Sequence, residues 1–184
     1  MNNMILETER LVLRPWRETD AEDLYKYAKD DRVGPIAGWS PHKSIEESAD
    51  IIRTVFAQEG VYAVTLKGED IAIGCIGLIT GDKSNFPISE KEGEVSYWIG
   101  VPFWGKGLIP EAIREIVRHG FEDLKLTTVW CGYFDGNEKS KRAQEKCGFR
   151  HYRTETDKPY PLMNDIRTEH ISRLTKEEWV ELNL

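Results

Sequence analysis

The sequence predicts a mixed α/β domain, and three observations carry that prediction. The stretch Val101-Pro-Phe-Trp-Gly-Lys-Gly-Leu-Ile-Pro-Glu-Ala112 joins the end of a strand to a long amphipathic helix. Two β-rich runs, Val61–Leu66 and Ile71–Ile79, flank the tight turn Lys67-Gly-Glu-Asp70, as in an antiparallel hairpin. A strand–helix–strand unit in the second half implies a parallel pair, because parallel strands need a crossover between them. Together these give a mixed sheet with helices on both faces. The 184 residues suffice for one domain, 1–184, with a sizeable core.

The elements follow in order. Arg10–Trp16 reads as a strand, and Thr19 with Glu22 forms a capping box for a helix with Leu24, Tyr25 and Ala28 inward. Gly34-Pro35 and Gly38 to His42 are turn-rich and read as a loop. Ser44 with Glu47 opens a second helix that turns Ile45, Ile52, Val55 and Phe56 inward and ends near Gly60. After the hairpin, Gly81–Gly93 is polar, broken by Pro87, and reads as a loop. Glu94–Ile99 is a strand. The central helix starts near Gly107 and ends near Leu124, with Ile109, Ala112, Ile113, Ile116, Val117, Phe121 and Leu124 as one buried stripe. Thr127–Phe134 is a strand, Asn137 caps a helix over 138–146, and Gly148 stops it. A strand starts at Phe149, Asp157–Asn164 is a loop, Ile166–Leu174 is the last strand, and Thr175 with Glu178 caps a terminal helix bearing Trp179 and Leu182.

Composition narrows the class. The three cysteines, Cys75, Cys131 and Cys147, lie far apart and form no C-x-x-C pair, which points to a reduced, cytoplasmic protein. The start is charged too early for a signal peptide, and no apolar run reaches the roughly 18 residues of a membrane span. A formal net charge of −7 argues against nucleic acid and for a cationic substrate. His42 has no carboxylate or cysteine at ligand spacing, so no metal is expected.

The glycine turn carries the first chemical inference. Pro110 lacks an N–H and sits comfortably only in a helix's first turn. The backbone N–H groups around residues 105 to 109 therefore precede the helical ladder. At a positive helix end, with no Cβ at Gly105 and Gly107, they make an anion site suited to phosphate. No G-x-x-x-x-G-K-[ST] is present, which argues against a nucleoside triphosphate enzyme.

The element order, Trp104-Gly-Lys-Gly-Leu-Ile-Pro-Glu-Ala112, and Asn137-x-x-Ser140-Lys-Arg142 followed by Glu145-Lys-Cys-Gly-Phe149 resemble the GNAT superfamily of acetyl-CoA-dependent N-acetyltransferases. The opening Leu6-Glu-Thr-Glu-Arg-Leu-Val-Leu-Arg14 and the terminal Thr175-Lys-Glu-Glu-Trp179 are similar to its RimJ/RimL-like branch, the ribosomal-protein N-terminal acetyltransferases. The resemblance implies a mostly antiparallel sheet whose central strands, here 94–100 and 127–134, splay apart. It implies acetyl-CoA with its pantetheine arm in that gap and its pyrophosphate on the glycine turn. The cofactor residues implied are Ile99, Val101, Trp104, Gly105, Lys106, Gly107, Leu108, Ile109 and Asn137. The superfamily pattern is Gln/Arg-x-x-Gly-x-Gly/Ala; this chain departs from it with Trp104 at the first position and Ile109 at the last, so Ile109 is expected to point into the core.

Acetyl transfer needs a neutral amine, a polarised thioester and a proton for the departing thiolate. An α-amine has a pKa of about 7.7–8.0 and lysine one of about 10.4, so a modest base suffices for the former. Glu94 is the candidate base, directly or through a water, and Ser140 the candidate acid or donor toward the sulfur, with Tyr133 the alternative acid. The N–H near Ile99 is the family-like oxyanion donor. Trp39, His42 and Trp98 are candidates to shape the acceptor pocket. The expected activity is direct acetyl transfer to a peptide α-amine or small amine, in a monomer or homodimer. The rival is a non-catalytic acyl-CoA-binding domain.

Overall fold

A computed structural model describes residues 4–183. The chain forms two compact units, one from Met1–Gly77 with Tyr97–Ala112 and one from Leu78–Ser96 with Ile113–Leu184. The strands are β1 (Leu6–Glu7), β2 (Leu11–Arg14), β3 (Val61–Leu66), β4 (Ala72–Thr80), β5 (Glu92–Ile99), β6 (Thr128–Phe134), β7 (Arg150–Tyr160) and β8 (Asp165–Thr175). The helices are α1 (Ala21–Ala28), α2 (Gly34–Ala37), α3 (Ile45–Ile51), α4 (Leu108–Arg118), α5 (Glu138–Lys146) and α6 (Lys176–Leu182). Hydrogen bonding orders the strands β1-β2-β3-β4-β5-β6-β8-β7. The pairs β1–β2, β2–β3, β3–β4, β6–β8 and β7–β8 are antiparallel, while β5 and β6 run parallel. This is the mixed, mostly antiparallel sheet expected.

In the first unit, β2 alternates buried Leu11 and Leu13 with half-buried Val12, the period of a strand with one covered face. β4 is buried without a break from Ala72 to Leu78. Arg14 is buried too. Its guanidinium meets Asp20 through two 2.8 Å hydrogen bonds and Asp70 through one of 2.7 Å. Hydrogen bonding to Asp20 raises Arg14 above its ordinary range, against the opposing effect of burial.

That ion pair moves the first helix cap. Asp20, drawn inward by Arg14, also accepts from the Arg17 N–H at 2.8 Å and closes a 3-10 turn over Glu18–Asp20. The expected Thr19–Glu22 box gives way to this turn, and α1 buries Leu24, Tyr27 and Ala28, with Tyr25 only half-buried. Gly34–Ala37 is a short helix rather than loop. Ser44 caps α3 by accepting from the Glu47 N–H. From Ile52 to Phe56 the helix widens to a π turn, which rotates the stripe. Ile52 is buried, whereas Ile45 and Val55 stand 40% and 42% exposed, contrary to expectation.

In the second unit, Ile113, Ile116, Val117 and Phe121 pack fully buried, as do Val129, Ile171 and Leu174. The central helix again ends in a π turn, His119–Asp123, closed by the Leu124 N–H on the His119 carbonyl at 3.1 Å. The extra residue turns Leu124 outward, 47% exposed, so it leaves the stripe predicted for it. α5 matches the predicted 138–146. β7 runs through Tyr160, so the predicted loop from Asp157 is shorter, and Pro159 pairs with Ile166. Proline survives there because β7 is the last strand in the order and has an edge that makes no ladder bonds. The Thr175–Glu178 capping box opens α6. Its Trp179 packs on Phe121, ring centroids 5.4 Å apart.

Among the described residues, no helix is long and apolar enough to cross a membrane.

Candidate active site

The glycine turn lies in the first unit. β5 ends at Ile99, a 3-10 turn covers Val101–Phe103, and α4 begins at Leu108. Gly105 and Gly107 adopt φ of 72° and 74°, conformations that side chains with a Cβ rarely take. The Glu111 N–H bonds the Gly107 carbonyl at 3.2 Å, so the N–H groups of Gly107, Leu108 and Ile109 lie ahead of the helical ladder. Gly105, Lys106 and Gly107 are exposed, and a Cβ built on Gly105 meets nothing within 4 Å. The turn is therefore an open nest of amides at a helix N-terminus, a place for an anion. Leu108, not Ile109, supplies the first buried side chain of α4; Ile109 is only half-buried.

Residues the sequence reasoning missed fix this turn. Glu111 accepts from the Thr8 hydroxyl at 2.5 Å, the Arg10 N–H at 2.8 Å and Arg10 Nε at 2.7 Å. Burial raises Glu111, but the bonds from Thr8 and Arg10 outweigh it and hold the carboxyl below its ordinary range. Arg10 Nη1 then reaches the Lys106 carbonyl at 2.9 Å, and Nη2 stands 3.6 Å from the Cβ position of Gly107. A second positive charge thus sits beside the amides. The pairing of Arg10 with Glu111 across a hundred residues has no local signal in sequence. Trp104 Nε1 donates to the Ile99 carbonyl at 2.9 Å and pins the end of β5 to the turn.

The same unit gathers Trp39, His42 and Trp98, the residues named as candidates to shape the acceptor pocket. Trp39 meets Trp98 edge-on at 5.6 Å and His42 at 5.4 Å. His42 Nδ1 lies 2.8 Å from the Ser48 hydroxyl. Burial lowers its pKa, against the opposing charge of Glu47.

The candidate chemical groups lie in the second unit. Glu94 is 7% exposed. Its Oε2 accepts from the Ser84 hydroxyl and the Asn85 N–H, each at 2.7 Å, and Oε1 accepts from Asn85 Nδ2 at 3.2 Å. These bonds show what part of the connection after β4 does, since residues 84 and 85 wrap a strand carboxylate, and β5 begins at Glu92, inside the loop predicted to run to Gly93. A carboxylate offers about four acceptor positions, so Oε1 keeps one for a water or an amine.

Ser140 occupies the third position of α5, and its N–H donates to the Asn137 side chain at 3.2 Å. Asn137 is thus a helix cap, as predicted. Ser140 Oγ accepts from Gln144 Nε2 at 3.3 Å, and the same amide donates to the Gly132 carbonyl at 3.1 Å. Gln144 is buried and binds Ser140 to β6. Its helical spacing from Ser140 is the one mark it leaves in the chain's pattern. Tyr133 packs on His170, ring centroids 5.0 Å apart. Burial, then Glu138, Glu145 and Asp135, raise its phenol above the ordinary range. Parallel pairing joins Glu92–Val95 to Thr128–Cys131, which places Glu94 opposite Trp130. Among the described residues no group of three or more His, Cys, Asp or Glu could hold a metal ion.

Residues 10–150 match the family model described as Acetyltransferase (GNAT) domain. The chain belongs to the GNAT acetyltransferase family. The GNAT chain is 34% identical over 146 residues to YdaF of Bacillus subtilis (strain 168), whose name proposes a ribosomal N-acetyltransferase, covering 77% of this chain and 78% of that one. It is 30% identical over 186 residues to FsC-acetyl coenzyme A-N(2)-transacetylase of Aspergillus fumigatus, covering 96% of this chain and 78% of that one. Its fold matches the ribosomal-protein-S5-alanine acetyltransferase structure from Vibrio fischeri with a TM-score of 0.72 at 20% identity, over 96% and 99% of the two chains. These relatives agree with the RimJ/RimL-like branch, and membership makes the chain an acyltransferase acting on an amine.

Proposed function

We propose that this GNAT domain is an acetyl-CoA-dependent N-acetyltransferase that passes the acetyl group directly to a primary amine within a ternary complex. One observation carries the cofactor assignment: two glycines with left-handed φ bracket exposed Lys106 at a helix N-terminus, with the amides of residues 107 to 109 ahead of the ladder and Arg10 beside them. A pyrophosphate fits that set by charge and by hydrogen bonding. The Aspergillus relative, whose name specifies acetyl coenzyme A, supports the same donor.

In this reading the amine nitrogen attacks the thioester carbon and the C–S bond breaks. The surplus ammonium proton passes to Glu94 through the remaining Oε1 position, and the thiolate takes its proton from Ser140 or solvent. Three donors fix Glu94 in place, and it serves here as a modest base. That suits an α-amine at about pKa 7.7–8.0 better than a lysine at about 10.4. The YdaF name, which proposes a ribosomal N-acetyltransferase, supports a protein acceptor. Asn137 contributes the helix cap that sets Ser140 in place. We read residues 1–184 as one cytoplasmic N-acetyltransferase domain.

The decisive assay is thiol release from acetyl-CoA with a panel of peptides and small amines. Turnover with any of them supports the enzyme; cofactor binding without turnover on all of them supports the rival, a non-catalytic acyl-CoA-binding domain.

A further inference from the structure

The β7–β8 hairpin carries a charged group that the transfer step does not use. Glu169 lies in β8, and its side chain is only 13% exposed. Its Oε2 accepts from Lys158 Nζ of β7 at 2.6 Å, and that nitrogen also stands 3.2 Å from Glu155 Oε2. Its Oε1 turns onto β6, 2.6 Å from where a Cβ would stand on Gly132, with Phe86 Cζ 3.0 Å from the same point. Gly132 is the residue that lets a carboxylate lie against the strand.

This carboxylate shares its surroundings with the candidate catalytic groups. The Gly132 carbonyl is held by Gln144, which also holds Ser140. Phe86 follows Asn85, whose backbone and side chain both hold Glu94. Half-buried Tyr160 has its phenol raised by burial, then by Glu169 and also by Glu94, with Arg167 and Lys158 opposing. One tyrosine therefore senses both carboxylates.

We propose that Glu169 is a specificity-determining residue that receives a second positive charge of the acceptor, and that Lys158 fills this seat until the acceptor arrives. The proposal rests on the acetyl-transfer reading above. The reacting amine must be neutral, and a carboxylate binding it directly would hold its proton in place, so Glu169 suits a separate cation. A shielded carboxylate without a partner is costly. Lys158 supplies one from the last strand of the order, at a register shift between Glu155 and Lys158 where Asp157 takes φ 53°. At such a bulge a side chain can leave without breaking the inner ladder. A cationic acceptor group then replaces one ammonium by another, and Glu169 stays paired throughout. The net charge of −7 favours the approach of such a ligand. The ligand chemistry is a primary amine with a second cation, from a free diamine or from a peptide with a basic residue next to its α-amine.

The test compares kcat/KM within two matched pairs: 1,4-diaminobutane against butylamine, and Ala-Lys-Ala amide against Ala-Leu-Ala amide. The wild type prefers the dicationic member of at least one pair by about 10-fold, the scale of a charged hydrogen bond, and the preferring pair identifies the source. Glu169→Gln abolishes the preference while kcat for the monocationic member stays within about twofold, and Lys158→Met lowers KM for the dicationic member. Because Glu169→Gln leaves Lys158 with Glu155 as its remaining carboxylate partner, the double variant Lys158→Met/Glu169→Gln serves as the folded control and shows no preference. Calorimetric titration of the dicationic probes into cofactor-free protein reads the seat without turnover: affinity lost in Glu169→Gln supports it even if no amine releases thiol, an outcome that would sink only the transfer reading. A preference that survives Glu169→Gln, or its absence from both pairs in the wild type with no calorimetric binding, overturns the proposal.

Discussion

The glycine turn and the Glu94–Ser140 region are built on opposite principles. The turn presents backbone: the amides of residues 107–109 lie ahead of the helical ladder beside two glycines with φ near +70°, and the Arg10 and Glu111 side chains brace it. The second region presents side chains, each held by another side chain or by a distant loop. Glu94 depends on Ser84 and Asn85, and Ser140 on Gln144 and Asn137. The difference predicts which substitutions matter. A backbone site tolerates exchange of its side chains and fails when its φ values become inaccessible. A side-chain site fails at its acid–base groups and weakens in steps as its supports go.

Glu94→Gln is expected to have the largest effect. It keeps the shape and two of the three acceptor contacts but removes the proposed base, so kcat is expected to fall by about 10²–10⁴ while CoA affinity stays within about twofold. Pre-steady-state thiol release alongside equilibrium CoA binding would separate the two; wild-type kcat across pH would reject Glu94. Gly107→Asp comes next. It forces a Cβ into φ 74° and sets a carboxylate where the pyrophosphate docks, raising the CoA Kd by about 100-fold. If calorimetry on the folded variant finds an unchanged Kd, the turn is not the phosphate site.

Gln144→Leu removes the amide that joins Ser140 to the Gly132 carbonyl. We expect kcat to drop by about 10-fold, roughly one lost charge-free bond with its buried partner unsatisfied, and no change in CoA Kd. A Kd that rises instead would place Gln144 in the cofactor site. The mildest is Glu111→Gln, which loosens the Arg10 brace on the turn. A few-fold weaker CoA binding, larger at low salt than at high, is expected because the pair is partly exposed. No salt dependence would mean Arg10 braces the turn without reaching the ligand electrostatically.

Backbone features of the chain were legible in its sequence and long-range side-chain pairings were not. The turn could be read because glycine, proline and helix periodicity leave local marks, and α5 could be bounded because Asn137 and Gly148 are end signals. The two π turns have no such mark. Each shifts a helix register by one residue and so sends Val55 or Leu124 to solvent against the periodic pattern. Pro159 looked like a strand breaker, and only the sheet order shows it on an edge where that is harmless. Nothing local marks Asp20 as the partner of a buried arginine from β2, yet that arginine determines its place. At the site, Glu94 and Ser140 were named from resemblance, while their holders Ser84, Asn85 and Gln144 emerge only from folded geometry.

The central claim, that coenzyme A is bound by bare amides at the start of α4, is tested most directly by following the backbone N–H resonances of residues 105–109 during a CoA titration. The account predicts that the amides of Gly107, Leu108 and Ile109 shift strongly downfield, saturate with the calorimetric Kd and gain protection from exchange. CoA that binds while those amides stay put, with the shifts centred elsewhere, would contradict it.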